Sequence, residues 1–255
     1  MATDVKQYLR PEAPPMPFCP GCGDRILLRL ILTAIDELKL NMDDMLFVSG
    51  IGCAAWIPSP HFNADTLHTL HGRAIAFATG AKMFNPKLKV MVISGDGDLA
   101  DIGGNHLIHA ARRNIDLTVI CANNMVYGQT GGQVAATALK GILTATTTAG
   151  NYYRPFDLCK LVNAAGAIYA ARYSVTQPTL LISSIKKALQ TEGFSFIEVI
   201  SPCPTQFGRQ NRLDTPKDTF KFFEDKLITE EDAKGLSPQE LENRIITGEF
   251  SNGSS

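Results

Sequence analysis

A doubly wound α/β domain with a mostly parallel sheet, followed by a helical C-terminal tail, is the fold this sequence predicts. The apolar runs at residues 45–50, 89–94, 117–122 and 196–201 are continuous rather than alternating, so both faces of each strand must be covered. Helical segments lie between them, the order that builds a parallel sheet. Composition agrees: 255 residues with 45% hydrophobic and 19% charged side chains describe a well-buried chain, neither disordered nor a disulfide miniprotein.

In chain order, residues 1–23 hold five of the 14 prolines and read as an extended arm. Asp24 is a candidate N-cap for a helix over 26–40, apolar on nearly every side and therefore buried. A strand at 45–50 precedes a small-residue helix at 72–84 and the strand at 89–94. Helix 101–113, strand 117–122 and helix 156–165 follow, then helix 178–190 and a last strand at 196–201. Residues 1–214 form the expected domain. The tail, 215–255, carries three helix starts, at Thr215, Thr229 and Ser237, each with an acid three residues on; two have Pro at the first helical position.

The net charge is −1, too small to draw the chain to nucleic acid or a membrane surface. The tail alone holds five Lys/Arg against nine Asp/Glu, which leaves +3 for residues 1–214. No uninterrupted apolar run approaches the ~20 residues of a membrane helix; the stretch 26–35 is broken by Arg29. The N-terminus is charged and lacks the apolar core of a secretory signal, so a soluble, cytoplasmic protein is expected.

The most informative motif is Gly95, Asp96, Gly97 and Asp98, followed by Asn123 and Asn124. Asp96 and Asn124 end successive predicted strands with 27 residues between them, the length of a strand–helix–strand crossover. Two oxygen ligands thus reach the sheet edge where open α/β folds bind ligands. Carboxylate plus carboxamide suits magnesium holding phosphate oxygens. Gly95 and Gly97 would allow close approach of a diphosphate, with helix 101–113 aimed at it. The motif resembles the thiamine-diphosphate (ThDP) signature, which implies that Asp96, Asn124 and the carbonyl of Val126 hold the magnesium.

Cys19 and Cys22 form a C-x-x-C, while Cys53 and Cys203 sit in loops at predicted strand ends. Four loop cysteines suit zinc or an iron–sulfur cluster equally. Beside a ThDP site, a cluster that accepts electrons is favoured. Cys121 and Cys159 lie inside predicted elements and read as inert core.

Together, the C-P-x-C-G-D segment, Ile51-Gly52-Cys53, His71-Gly72-Arg73, the Gly95–Asp98 loop, the G-G-N-H at 103–106 and the N-N-x-V-Y-G-Q-T-G-G-Q run at 123–133 resemble the β subunits of two-subunit 2-oxoacid:ferredoxin oxidoreductases. The resemblance implies oxidative decarboxylation of a 2-oxoacid, with 2-oxoglutarate preferred and pyruvate or a broader range as alternatives. Products would be acyl-CoA and CO2, with electrons passed through one 4Fe-4S cluster to ferredoxin. It places the cluster on Cys19, Cys22, Cys53 and Cys203. ThDP falls among Gly52, Cys53, Ala54, Gly95, Asp96, Gly97, Asp98, Asn123, Asn124, Tyr127, Gly128 and Gln129. It also implies an α subunit that completes the catalytic and coenzyme A sites, in an αβ unit or its dimer. Two departures stand out: no Lys follows Cys53, and no ferredoxin-like cysteine run is present.

Other residues carry paired readings. His71 could touch cofactor or substrate, or be a hydrogen-bonded structural histidine. Arg73 could neutralise an anion or pair on the surface. Gln129 and Thr130 could orient substrate or merely hold their own loop. His61 and His68 read as structural, and His106 with His109 lacks a third metal ligand. Rival functions are a ThDP carboligase or non-oxidative decarboxylase with structural zinc, and an electron-transfer or scaffold subunit with a vestigial ThDP site.

Overall fold

The computed structural model describes residues 4–250; the first three residues of the expected arm and the last five of the tail lie outside them. Strands β1 (Met45–Ser49), β2 (Asp65–His68), β3 (Lys89–Gly95), β4 (Thr118–Asn123), β7 (Tyr169–Ser174) and β8 (Ser195–Ile200) form a parallel sheet in the order β2-β1-β3-β4-β8-β7. A short hairpin, β5 (Val126–Tyr127) with β6 (Gln133–Val134), stands beyond the end of β4.

Successive strand residues feed opposite faces. Phe47, Met91, Ile93, Ile120 and Ile197 pack with helices α1 (Gly23–Glu37) and α5 (Pro178–Gln190). Val48, Val92, Val119 and Phe196 pack with α2 (Ala74–Phe84), α3 (Gly104–Arg112) and α4 (Leu158–Ala165). Burial on both sides is why these strands read as unbroken apolar runs. The doubly wound fold is as predicted.

Two helix starts differ from the sequence reading. Cys22, not Asp24, is the N-cap of α1, because the Gly23 amide already donates to Pro202 O at 3.0 Å; Asp24 is thereby drawn inside the first turn and buried. The helix expected at 101–113 begins earlier, as a π-helical turn over Gly97–Ile102 that precedes α3.

The tail holds α6 (Pro216–Glu224), α7 (Glu230–Ala233) and α8 (Pro238–Leu241), and all three anticipated caps form, two as full capping boxes. It is not helical throughout. β9 (Leu227–Thr229) pairs with β10 (Ile245–Glu249), whose β-branched Ile245-Ile246-Thr247 run favours extension. β10 in turn lies antiparallel to β7, so the tail extends the main sheet to eight strands.

Candidate active site

Asp96 and Asn124 project beyond the ends of adjacent β3 and β4, where a parallel sheet gathers its ligands. Both are buried, at 2% and 8% exposure. Burial pushes the Asp96 carboxyl up to about 7; the Thr137 hydroxyl opposes this and the charge of Asp101 adds to it. A buried carboxylate short of positive charge, beside a carboxamide, is a donor set that fits magnesium.

The backbone around it is pinned by the two asparagines. Asn123 Oδ1 accepts from Met125 N at 3.0 Å, and Asn124 Oδ1 accepts from Val126 N at 3.0 Å. Between them Met125 is held at φ 66, a left-handed conformation costly for a bulky residue. Tyr127 closes the other side: a Cβ on Gly97 would meet its ring at 2.6 Å, so only glycine fits there. The Tyr127 hydroxyl donates to Asp101 Oδ2 at 2.8 Å.

Asp98 has a different setting from its neighbour. Its Oδ1 accepts from Ile51 N at 3.1 Å and Gly72 N at 2.8 Å and contacts His71 Nδ1, while Oδ2 accepts from Ser94 Oγ at 2.7 Å. This carboxylate therefore braces two loops against the end of β3, and one of the loops runs on through Gly52 (φ 128) into Cys53 and Ala54. His71, tied through Nδ1, lies edge-on to Tyr127 with ring centroids 6.0 Å apart. Arg73 donates to the carbonyls of Gly72 and Ile102. Thr130 donates to Gln133 Oε1 at 2.7 Å within its own hairpin loop, and Gln129 beside it is exposed. His61 bonds the Trp56 carbonyl and His68 packs edge-on to Trp56.

The four loop cysteines are all unpaired thiols in one neighbourhood. Cys22 caps α1, Cys53 opens the turn Cys53–Trp56, and Cys203 caps the turn Pro204–Gly208. Burial pushes the Cys53 thiol up to about 12, with Asp24, Cys203 and Cys19 adding to it. Cys22 is raised too, by burial first and then by Asp24, Cys203 and Cys53. Among the described residues no three side chains converge on the point a single metal ion would occupy. A cluster spreads its thiolates farther apart than one ion does, so four loop thiols in one neighbourhood are a donor set that would fit it. Cys121 and Cys159 are fully buried elsewhere in the core.

Gly128 joins the two constellations. A Cβ built on it would lie 3.6 Å from Cys53 Sγ, 3.7 Å from Cys203 Sγ and 3.8 Å from Asn124 Nδ2.

Residues 50–199 match the family described as the C-terminal TPP-binding domain of thiamine pyrophosphate enzymes. The chain is 50% identical to the 2-oxoglutarate synthase subunit KorB of Methanothermobacter thermautotrophicus, over 96% of its own length and 86% of that relative. It is 49% identical to the same subunit of Methanocaldococcus jannaschii, over 96% and 90%. The chain belongs to the β-subunit family of the 2-oxoacid:ferredoxin oxidoreductases. A solved 2-oxoglutarate:ferredoxin oxidoreductase from Magnetococcus marinus, with 2-oxoglutarate, coenzyme A and succinyl-CoA bound, superposes on this β subunit with a TM-score of 0.85. That match has 31% identity and covers 99% of this chain and 86% of the other.

Three features of this β subunit escape sequence reasoning. Thr137, which contacts Asp96, sits in an irregular segment with no motif. Glu198 receives the Asn123 amide at 2.6 Å, and Arg172 donates to Glu198 at 2.8 Å. The one available signal was an acid inside an otherwise apolar strand, at 198.

Proposed function

We propose that this chain is the ThDP- and cluster-carrying subunit of a 2-oxoacid:ferredoxin oxidoreductase that acts on 2-oxoglutarate. Gly128 carries the reading: thiols suited to a cluster and the amide of a magnesium–diphosphate loop share one glycine, an arrangement suited to handing electrons from one group to the other. When bound, ThDP and a 4Fe-4S cluster supply carbanion stabilisation for decarboxylation and an acceptor for the electrons released.

The chain's own residues do the holding. Asp96, Asn124 and the Val126 carbonyl take the magnesium, and Gly95, Gly97 and Asn123 admit the diphosphate. Gly52, Cys53, Ala54, Tyr127, Gly128 and Gln129 line the remainder. Cys19, Cys22, Cys53 and Cys203 ligate the cluster. Asp98 acts by bracing the Gly52–Ala54 loop, and His71, fixed through Nδ1, is left with Nε2 to orient substrate or cofactor. Thr130 takes part through its loop.

An α subunit supplies the rest of the active site and the coenzyme A contacts. Leu70, Phe77, Met83, Phe84 and Ile102 leave apolar surface exposed along α2 and its flanking loops, which suits such a partner. Residues 1–214 form the cofactor-binding unit and 215–255 its wrap. Among the described residues no helix is long and apolar enough to cross a membrane.

The test is anaerobic co-isolation with the α partner, analysis of iron, sulfide, magnesium and ThDP, and a screen of 2-oxoacids with ferredoxin. Turnover preferring 2-oxoglutarate is expected. Bound zinc without sulfide, or ThDP turnover that reduces no acceptor, would overturn the reading.

A further inference from the structure

A continuous chain of buried polar contacts runs from the metal loop to the tail. Thr137 contacts Asp96 and lies 3.1 Å from Asn123 Oδ1. Asn123 Nδ2 donates to Glu198 Oε1 at 2.6 Å, and Arg172 Nε donates to Glu198 Oε2 at 2.8 Å. Arg172 also donates to Asp157 Oδ1 at 2.6 Å and to the Ile246 carbonyl of β10 at 3.1 Å. Glu198 and Arg172 are 2% and 6% exposed, and Glu198 meets the loop through the side chain of Asn123.

We propose that Glu198, backed by Arg172, is a positioning residue that sets the amide of Asn123 and so shapes the loop that receives magnesium and diphosphate. The proposal rests on the reading of residues 95–98 and 123–126 as that loop. An amide has one donor end and one acceptor end. Because Glu198 is a pure acceptor, it takes Nδ2 and leaves Oδ1 for Met125 N and the Thr137 hydroxyl. With the amide reversed, Nδ2 would face the Met125 N–H, and the left-handed turn at Met125 would lose its anchor. Asn124 and Val126 follow directly from that turn, and Thr137 is shared with Asp96. Glu198 thus acts through Asn123 on each expected metal ligand. Arg172 holds the acceptor in place and neutralises it within the protein.

Removing Glu198 alone would strand Arg172 without its buried counter-charge, so the test uses paired substitutions in the complex co-expressed with its α partner. Arg172→Met with Glu198→Met replaces the pair by apolar side chains of similar length and removes the acceptor; Asp157, partly exposed, keeps its solvent and Lys160. Arg172→Gln with Glu198→Gln keeps an acceptor for Asn123 Nδ2. After removal of cofactors, ThDP affinity in the presence of magnesium is measured by titration calorimetry, alongside the melting temperature.

The Met pair should melt near wild type yet bind ThDP about 10–100-fold more weakly, the usual cost of losing an outer-shell partner. The Gln pair should bind close to wild type. The proposal is overturned if the Met pair binds as wild type does, or if the Gln pair is as weak as the Met pair. A wild-type complex that binds no ThDP would overturn the reading of the loop itself, and the proposal with it.

Discussion

The Ser201 hydroxyl donates a 2.6 Å hydrogen bond to the carboxylate of Asp24, tying the approach to Cys203 to the helix that Cys22 caps. Gly23 N to Pro202 O, at 3.0 Å, doubles the tie. Two thiols 181 residues apart in sequence are thereby held in one neighbourhood before any cluster is present.

Ser201→Ala removes the donor and leaves Asp24 buried with one fewer partner. The loss should be about 1–3 kcal/mol of stability, read as a lower urea midpoint in the metal-free chain. Iron should also leave the variant faster under chelation. An unchanged midpoint would show that the Gly23–Pro202 bond suffices.

Gly128→Ala should fold normally, because its added Cβ meets its nearest neighbours at 3.6–3.8 Å and no left-handed φ is needed. It intrudes between Cys53 and Cys203, however, so iron and sulfide content should fall while the melting temperature of the metal-free chain stays constant. Full iron loading would place the cluster elsewhere.

Asp96→Ala should abolish retention of magnesium and ThDP, a loss exceeding the about 10–100-fold of an outer-shell change. Cys203→Ser should lower iron and leave ThDP in place. Cys121→Ser, in the core of β4, should change neither cofactor and cost only stability. Metal, sulfide and ThDP assays on the three variants separate the sites.

Asp157 gives a pH signature. Burial alone would raise its carboxyl, but the charge and hydrogen bond of Arg172 prevail and hold it below the ordinary aspartate value. A depressed carboxyl contributes stability that is present above its unfolded value, about pH 4, and is lost as pH falls through the folded value. Wild type should therefore lose stability below about pH 4 more steeply than Asp157→Asn, in urea midpoints taken across that range. Parallel pH curves would show that the pair contributes nothing.

The sequence was most legible where burial dictates residue type. β3 and β4 announced themselves as apolar runs, and β8 as one interrupted only by Glu198, because helices cover both faces. The capped starts at Thr215, Thr229 and Ser237 were equally plain, since a hydroxyl and an acid three residues apart carry their own hydrogen bonds. β7 was missed because Ala170, Ala171 and Arg172 lack the β-branched texture of a strand; Arg172 is there to meet Glu198, a partner 26 residues away. Asp24 was misread as a cap because its real partner, Ser201, lies 177 residues on. Local chemistry was visible and distant pairing was not. Asp98 shows the same limit inside a motif: its position was plain, while its four partners come from two separate loops and from β3.

β10 pairs with β7 over a short ladder, Gly248 with Arg172 and Glu249 with Ala171, with Phe250 N donating to Ala170 O just beyond. During synthesis β7 emerges long before these residues. Until the ribosome releases them, β7 remains an open edge, and the N–H and C=O groups facing that edge can template pairing with another nascent chain. The tail is thus a late-arriving guard against misassembly, and chains terminated before residue 245 should accumulate as aggregates rather than as loosened but soluble subunits.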